Sequence, residues 1–210
     1  TTSLSDGWAD WLADRLGGSG NVLFLGGPAG NPQTQAYFDD LSRALQENHP
    51  DITLLGGQPV ATGWTMEGAQ QATAGAISKH GDTVDAIVSD FLLGLPAMKR
   101  AYDAAGIKMP DVTGLAMSNE TGCVVQDLMK ANPDFDFMAY DRTVRTSLVA
   151  LRRAVAYAAG KDNPETSLLS LTPAWTDTAA DNPPPCEPSL PPEADLSSGL
   201  STDQLAALLK

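Results

Sequence analysis

One stretch brings together a short apolar run and a glycine-rich turn: Gly20-Asn21-Val22-Leu23-Phe24-Leu25-Gly26-Gly27-Pro28-Ala29-Gly30-Asn31. Its apolar residues are continuous and do not alternate with polar ones, which is typical of a strand buried on both faces of a parallel sheet. A helical pattern follows from Pro32, and proline in a first turn favours a helix start. The stretch therefore predicts a β-strand, a tight turn and an α-helix, which together open a βαβ unit.

The same succession of apolar run and helical pattern repeats along the chain. The further apolar runs lie at residues 52–55, 86–88, 112–117 and 135–140. The helical patterns lie at residues 4–16, 32–46, 66–80, 92–105, 119–131 and 142–159. Strands that alternate with long helices form βαβ units whose right-handed crossovers place helices on both faces of a parallel sheet. The sequence therefore predicts an α/β fold with a doubly wound sheet of five parallel strands over about residues 1–140.

Composition and charge exclude several classes of function. The 210 residues include 13 Lys and Arg against 26 Asp and Glu, a formal net charge of −13. Such a charge repels phosphate backbones, so we expect no nucleic-acid partner. Two cysteines and two histidines are too few for a thiolate zinc cage or a histidine-based catalytic site. We expect no metal site, no cofactor and no enzymatic activity.

The chain changes character after Gly160. Prolines are dense at residues 183–192, which is incompatible with a helix or an inner strand there. The run Leu168-Leu169-Ser170-Leu171-Thr172 could form one more strand, and Ser201 is placed to cap a last short helix. Connections this long without periodicity are usually functional, tied down or disordered.

An ordered series of landmarks resembles the periplasmic sugar-binding proteins of ABC importers, of the ribose-binding type. After residues 20–31 the series continues with Gly57-Gln58-Pro59 before an aromatic-containing turn, then Ile87-Val88-Ser89-Asp90 at a strand end, and later Phe137-Met138-Ala139-Tyr140. The resemblance spans about residues 3–160. It implies the strand order 2-1-3-4-5 of flavodoxin-like sheets, in one of two similar lobes that hold ligand between them.

The resemblance also implies a domain arrangement. Residues 1–140 and about 172–210 would form the C-terminal ligand-binding lobe, and residues 141–171 would be a crossover helix and return segment belonging to an N-terminal lobe. The chain would then be a fragment of a two-lobed protein. The apolar stripe Val144, Leu148, Leu151, Val155 and Ala158 would be exposed or buried against a second copy. Self-association through helix 142–160 is therefore expected.

Cellular context follows from the same resemblance. It implies a periplasmic or extracellular protein whose precursor carries a signal peptide and which is anchored to the membrane as a lipoprotein. The expected partners are a small solute, sugar or sugar-like, and the membrane permease of an ABC importer. In an exported protein Cys123 and Cys186 could form a disulfide that ties down the proline-rich segment. The alternative is two unrelated buried thiols.

Candidate ligand-binding residues lie on the loops at the carboxyl ends of the strands, where open parallel sheets bind ligands. They are Asn31, Gln33, Gln35, Trp64, Ser89, Asp90, Ser118, Asn119 and Tyr140. An aromatic face suits the C–H side of a sugar ring, and a carboxylate accepts hydrogen bonds from two hydroxyls. Each residue also has a structural interpretation, such as helix capping by Asp90 or Asn119.

Three positions depart from the family's site. By the resemblance Gln35, Ser89 and Ser118 stand where the family carries an arginine, an asparagine and an aspartate. Two charged hydrogen-bonding partners are thereby lost, and each is worth about 1.5–3 kcal/mol when desolvated. A less polar, larger or modified solute is therefore an alternative to a standard pyranose or ribose.

Two other functions stay open at this point. The effector-binding lobe of a lac-repressor-type transcription regulator shares the implied fold, although the acidic charge argues against it. An enzyme on a flavodoxin-like sheet is the second alternative, but no nucleophile–base pair stands out. The turn glycines Gly26, Gly27 and Gly30 are followed by no lysine and form no full Gly-x-Gly-x-x-Gly, which disfavours nucleotide binding.

Overall fold

A sheet of parallel strands forms the centre of the molecule. The computed structural model describes residues 4–140, 143–165, 176–196 and 200–209. The strands are β1 (Gly20–Gly26), β2 (Ile52–Leu54), β3 (Val60–Ala61), β4 (Ala86–Ser89), β5 (Asp111–Leu115), β6 (Phe137–Tyr140) and β7 (Thr176–Asp177). Their order is β2-β1-β4-β5-β6-β7, with β3 paired to β1, and β7 alone is antiparallel to its neighbour among these strands. Without the two-residue strands β3 and β7 this is the predicted order 2-1-3-4-5, and the predicted fold class is confirmed.

Helices cover both faces of the sheet. They are α1 (Leu4–Leu16), α2 (Pro32–Asn48), α3 (Met66–His80), α4 (Leu95–Ala105) and α5 (Asn119–Ala131). Two further helices, α6 (Thr143–Ala158) and α7 (Thr202–Leu208), follow later in the chain. Residues Val22 and Phe24 of β1 join the core beneath α1 and α2, whereas Leu23 and Leu25 join the core beneath α3, α4 and α5. All four are at most 1% exposed, which explains why this strand has no alternating pattern.

Some elements differ from those expected from the sequence. The helix predicted from Leu92 begins as a 3-10 turn, Leu92–Gly94, before α4, and the strand predicted from Phe135 begins only at Phe137. The short strands β3 and β7 were not predicted, because two residues are too few to show a period. The strand considered at residues 168–172 lies outside the described residues. No helix in the described part of the chain combines the length and apolarity needed to cross a membrane.

The proline-rich segment is held against α5 by Asn119. The Asn119 side-chain Nδ2 donates to the carbonyls of Glu187 (2.8 Å), Leu190 (3.3 Å) and Pro191 (3.3 Å), and its Oδ1 accepts from the Glu187 amide at 2.8 Å. Backbone amides of the first turn of α5 are also satisfied by this segment: Asn119 donates to Ala194 and Glu120 to Pro192. A helix N-terminus leaves such amides without intrahelical partners, so the segment acts as an extended cap.

A disulfide fixes the same contact covalently. Cys123 in α5 and Cys186 are bonded, with Cα atoms 4.6 Å apart and a sequence separation of 63. At the residue before Cys123, a Cβ on Gly122 would lie 2.0 Å from the Pro185 carbonyl oxygen. Only glycine therefore lets the segment approach the helix this closely. These contacts give residues 184–196 a structural role, and we call this segment the strap over α5.

Helix α6 leaves most of its apolar side chains exposed. Its Val149 side chain is buried, whereas Leu151 and Val155 are each 60% exposed. Leu148 and Ala158 are exposed as well, and the Val144 side chain lies outside the described residues. Most of the predicted apolar stripe is therefore open to solvent. An exposed apolar stripe on a helix is typical of a surface that another protein body covers.

Arg15 joins α1 to the amino ends of β5 and β6. Its Nε lies 2.5 Å from Asp111 Oδ2 and 3.3 Å from Asp136 Oδ2, and the guanidinium also donates to the Asp134 carbonyl. Burial raises the pKa of Asp111, while hydrogen bonds from the Asp136 amide and from Arg15 oppose that rise. The positive charge of the guanidinium thus compensates the negative charges of Asp111 and Asp136, which lie close together at the amino ends of two neighbouring strands.

Replacing Arg15 with alanine is expected to lower the free energy of unfolding at neutral pH by about 2 kcal/mol, because two partly buried carboxylates lose their cation. The folded-state pKa of Asp111 then rises further above its unfolded value. Such a group contributes stability when protonated and loses that contribution as pH rises through the folded-state pKa. In urea unfolding, Arg15→Ala should therefore regain stability relative to wild type as pH is lowered. The control Arg100→Ala removes an exposed arginine and should change little; an Arg15→Ala deficit independent of pH would contradict this assignment.

Candidate functional site

A cavity opens at the carboxyl edge of the sheet. It has a volume of about 320 Å³, within the usual range for small-molecule sites. The residues around it come from α2, the turn before α3, the ends of β4 and β5, and the first turns of α6: Gln33, Tyr37, Trp64, Asp90, Leu115, Ala116, Thr146 and Ser147. Three of the predicted site residues, Gln33, Trp64 and Asp90, are thus brought together here.

Asp90 is the charged residue of this cavity. It follows β4 directly and is only 8% exposed. Its Oδ2 accepts from Thr34 Oγ1 at 2.6 Å, and its Oδ1 accepts from Trp64 Nε1 at 2.9 Å. Burial raises the pKa of Asp90, and hydrogen bonds from Thr34, Trp64 and the Gly27 backbone amide partly offset that rise. The carboxylate is therefore fixed in place and keeps acceptor capacity for a ligand donor.

Trp64 is held against the glycine-rich turn. A Cβ on Gly27 would lie 2.4 Å from Trp64 Cε2, so the indole occupies the space that any other residue at position 27 would need. The Gly27 amide meanwhile donates to Thr34 Oγ1 at 3.1 Å, in the same cluster as Asp90. The glycine of the sequence motif thus serves close packing of an aromatic ring, and the ring is positioned before any ligand arrives.

Backbone strain concentrates around the cavity. Trp64 has φ 54° and Ala116 has φ 58°, in the left-handed region that non-glycine residues rarely adopt. Both residues line the cavity, and Asp181 is the other non-glycine residue with positive φ in the described ranges. Strained backbone of this kind costs about 1–3 kcal/mol and clusters at binding and catalytic sites. The strain points to this cavity as functional.

Residues on α2 divide between two cavities. Gln33 lines the cavity beside Asp90 and donates from Nε2 to the Tyr37 hydroxyl at 2.8 Å. Gln35 donates to Asp39 at 2.8 Å and lines a different cavity of about 540 Å³ beside α3, together with Asn31. Asn31 caps α2 by accepting from the Gln33 and Thr34 amides, each at 3.0 Å. Gln35 and Asn31 are therefore absent from the lining of the cavity beside Asp90, although Thr34 links the two cavities.

The remaining predicted residues have structural contacts. Ser89 is fully buried and accepts from the Phe91 amide at 3.1 Å, and Ser118 caps α5 in a capping box. Asn119 holds the strap described above. Tyr140 is 5% exposed and packs in the core beneath α1, where burial raises its pKa. None of these four belongs to the lining described for the cavity.

The arrangement suits binding of a polar solute. It offers a fixed carboxylate, an indole, a phenol and an amide, with apolar contact from Leu115 and Ala116. Within the described ranges, no group of three or more His, Cys, Asp and Glu side chains could hold a metal ion. Convergent polar groups around a partly apolar cavity are typical of small-molecule sites.

Comparison with known families places the chain. Residues 6–162 match the family model described as periplasmic binding protein domain. The chain belongs to the periplasmic binding protein domain family. No curated protein matches it significantly in sequence.

Solved structures share the fold of this periplasmic binding protein domain at low identity. A glucose-galactose binding protein from Geobacillus stearothermophilus is similar with TM-score 0.63 and 16% identity, over 80% of this chain and 57% of its own. An ABC sugar transporter subunit from Rhodobacter sphaeroides has TM-score 0.63 and 19% identity, over 81% and 60%. A periplasmic solute binding protein from Actinobacillus succinogenes with bound D-allose has TM-score 0.60 and 17% identity, over 80% and 57%. The chain therefore matches only somewhat more than half the length of these proteins.

Several residues of the site were not expected from the sequence. Thr34 is 3% exposed and touches Asp90, yet it carries no signal except its place in the first turn of a helix that follows a strand. Tyr37 lies one helical turn after Gln33, and Ala116 has an unremarkable side chain, so its positive φ is invisible in sequence. In this periplasmic binding protein domain Thr146 and Ser147 of α6 also line the cavity, and their place there depends on tertiary packing.

Proposed function

We propose that this chain is the C-terminal lobe of a solute-binding component of an ABC importer and that it binds a sugar-like solute at the carboxyl-edge cavity. The observation that carries the proposal is the cluster of Asp90, Trp64 and Thr34, with Asp90 fixed by hydrogen bonds of 2.6 and 2.9 Å. Solved relatives are named as binders of glucose and galactose or hold D-allose. A carboxylate beside an aromatic ring is suited to a polyol ring.

In the proposed arrangement residues 1–140 and about 172–210 form the lobe, and residues 141–171 belong to the opposing lobe. Ligand would then bridge two lobes and stabilise their closed state by its greater affinity for that state. The exposed side chains of α6, among them Leu151 and Val155 at 60%, fit a helix that another lobe covers. The mechanism is binding with closure, without a chemical step.

The proposal includes location and partners. The assembled protein would act in the periplasm or outside the cell, anchored to the membrane, and would deliver its solute to a membrane permease. The disulfide between Cys123 and Cys186 agrees with an oxidising compartment, because such bonds are rare in the cytosol.

The test is a titration of this chain with D-glucose, D-galactose and D-ribose, followed by tryptophan fluorescence and isothermal calorimetry. One lobe supplies about half of the contacts, so the expected dissociation constants are millimolar. Affinity of micromolar or better would contradict the one-lobe account. Complete absence of binding to every monosaccharide would contradict the proposed ligand class.

Self-association through α6 is a further expected result. Burying Leu148, Leu151 and Val155 against a second copy removes apolar side chains from water, at about 1.5–3 kcal/mol each when fully buried. In sedimentation equilibrium we expect reversible dimers, weakened at least about tenfold by Leu151→Glu. The matched control Ala150→Glu adds the same charge to an exposed position off the stripe and should have a smaller effect. A monomer at all accessible concentrations would refute this surface.

A further inference from the structure

The cavity at the carboxyl edge is acidic and aromatic at once. We propose that its solute carries a protonated amine, as an amino sugar does, and that the ammonium group binds Asp90 between the rings of Trp64 and Tyr37. This inference rests on the proposed solute-binding function and narrows the chemical class of the ligand.

The hydrogen bonds that Asp90 accepts leave room for a ligand donor. The described donors to Asp90, the Thr34 hydroxyl, the Trp64 indole N–H and the Gly27 backbone amide, are all neutral. A carboxylate can accept about four hydrogen bonds, so capacity for one ligand donor remains. Oδ2 accepts from Thr34 and Oδ1 accepts from Trp64, and these two hydrogen bonds fix the carboxylate in one orientation. A ligand ammonium would therefore meet a preorganised acceptor.

Asp90 is a buried negative charge that a ligand cation would compensate. Asp90 is 8% exposed, and no lysine, arginine or histidine is among the described residues that line the cavity. Burial of a carboxylate without a cation is costly, and the raised pKa of Asp90 reflects this cost. A ligand cation removes the cost on binding, whereas a neutral hydroxyl relieves it only partly. An anionic solute would add a second negative charge.

Two aromatic rings line the cavity beside Asp90. Trp64 and Tyr37 are both half-buried and both line the cavity with Asp90. The faces of indole and phenol attract cations, most strongly where water is excluded. Gln33 donates to the Tyr37 hydroxyl at 2.8 Å and thereby restricts that ring. Carboxylate and aromatic faces thus favour the same ligand group at the same place.

The test compares D-glucosamine, N-acetyl-D-glucosamine, D-glucose and D-glucuronate, at a pH where the amine is protonated. Binding to this chain is followed by NMR through the Trp64 indole N–H signal, which is assigned by its loss in Trp64→Phe. We expect D-glucosamine to bind at least about fivefold more tightly than D-glucose, because a hydrogen bond between two charged groups is stronger than one from a hydroxyl. N-acetylation should abolish the advantage, and D-glucuronate should bind most weakly.

A variant pair separates the local carboxylate from the general charge of −13. Asp90→Asn should remove the preference for D-glucosamine, whereas Asp14→Asn changes the net charge equally at an exposed site on α1 and should leave it unchanged. If D-glucose or N-acetyl-D-glucosamine binds as tightly as D-glucosamine, or more tightly, the inference is overturned and the proposed function still stands. No signal change with any of the four compounds overturns both. The ligand comparison decides the matter even where Asp90→Asn is poorly folded.

Discussion

Replacing both Cys123 and Cys186 with serine is expected to lower the free energy of unfolding by about 4 kcal/mol. The disulfide closes a loop with a sequence separation of 63 residues, and the chain-entropy model gives about this value for such a loop. Most of the effect comes from the unfolded chain, which gains freedom when the link is absent. Urea unfolding monitored by circular dichroism measures the difference.

Reduction provides the matched control for this prediction. Wild-type protein in reductant should unfold at the same urea concentration as the double serine variant, since both lack only the link. Limited proteolysis should then cut within residues 183–192 faster than in the oxidised protein, because only hydrogen bonds and packing then hold the strap on α5. A double variant as stable as the oxidised wild type would show that the strap is independent of the disulfide.

Gly27→Ala is expected to cost about 2–3 kcal/mol of stability and at least tenfold in solute affinity. The added Cβ would lie 2.4–2.8 Å from three indole atoms of Trp64, so the ring must move. Its movement breaks the 2.9 Å bond to Asp90 and leaves a buried carboxylate with one donor fewer. Thermal unfolding and titration with D-glucose measure the two effects.

A second glycine offers the control. Gly75 in α3 is exposed, and a Cβ there would have nothing within 4 Å. Gly75→Ala should therefore raise stability by about 0.5–1 kcal/mol through helix propensity and leave affinity unchanged. If Gly27→Ala retains wild-type affinity, the packing of Trp64 against the turn is not required for the site.

The sheet could be predicted from the sequence because its strands are buried on both sides. Continuous apolar residues at 22–25 leave few alternatives to a central parallel strand, and helices of more than ten residues between strands dictate the crossovers. The disulfide that ties residues 184–196 to α5 was expected from the sequence and is present. The conformation of this strap could not be predicted, because it has no period of its own and depends on one asparagine and a close approach at Gly122.

The candidate site was predicted only in part, because some of its contacts arise from tertiary packing. Asp90 and Trp64 carry chemistry that is visible in the sequence, and they meet in the cavity. Gln35 was favoured by its place in the resemblance, but one position along a helix turns a side chain by about 100°, and it lines another cavity. The positive φ of Ala116 and the contact of Thr34 with Asp90 arise from tertiary packing that no local pattern records.

The most direct measurement is a map of amide NMR shifts on this chain during titration with a monosaccharide. Two cavities compete as the site: the one of about 320 Å³ beside Asp90 and the one of about 540 Å³ beside α3. The account predicts that the shifts concentrate at Gln33, Trp64, Asp90 and Ala116. Shifts confined to the larger cavity, around Ala72 and Lys79, would contradict it.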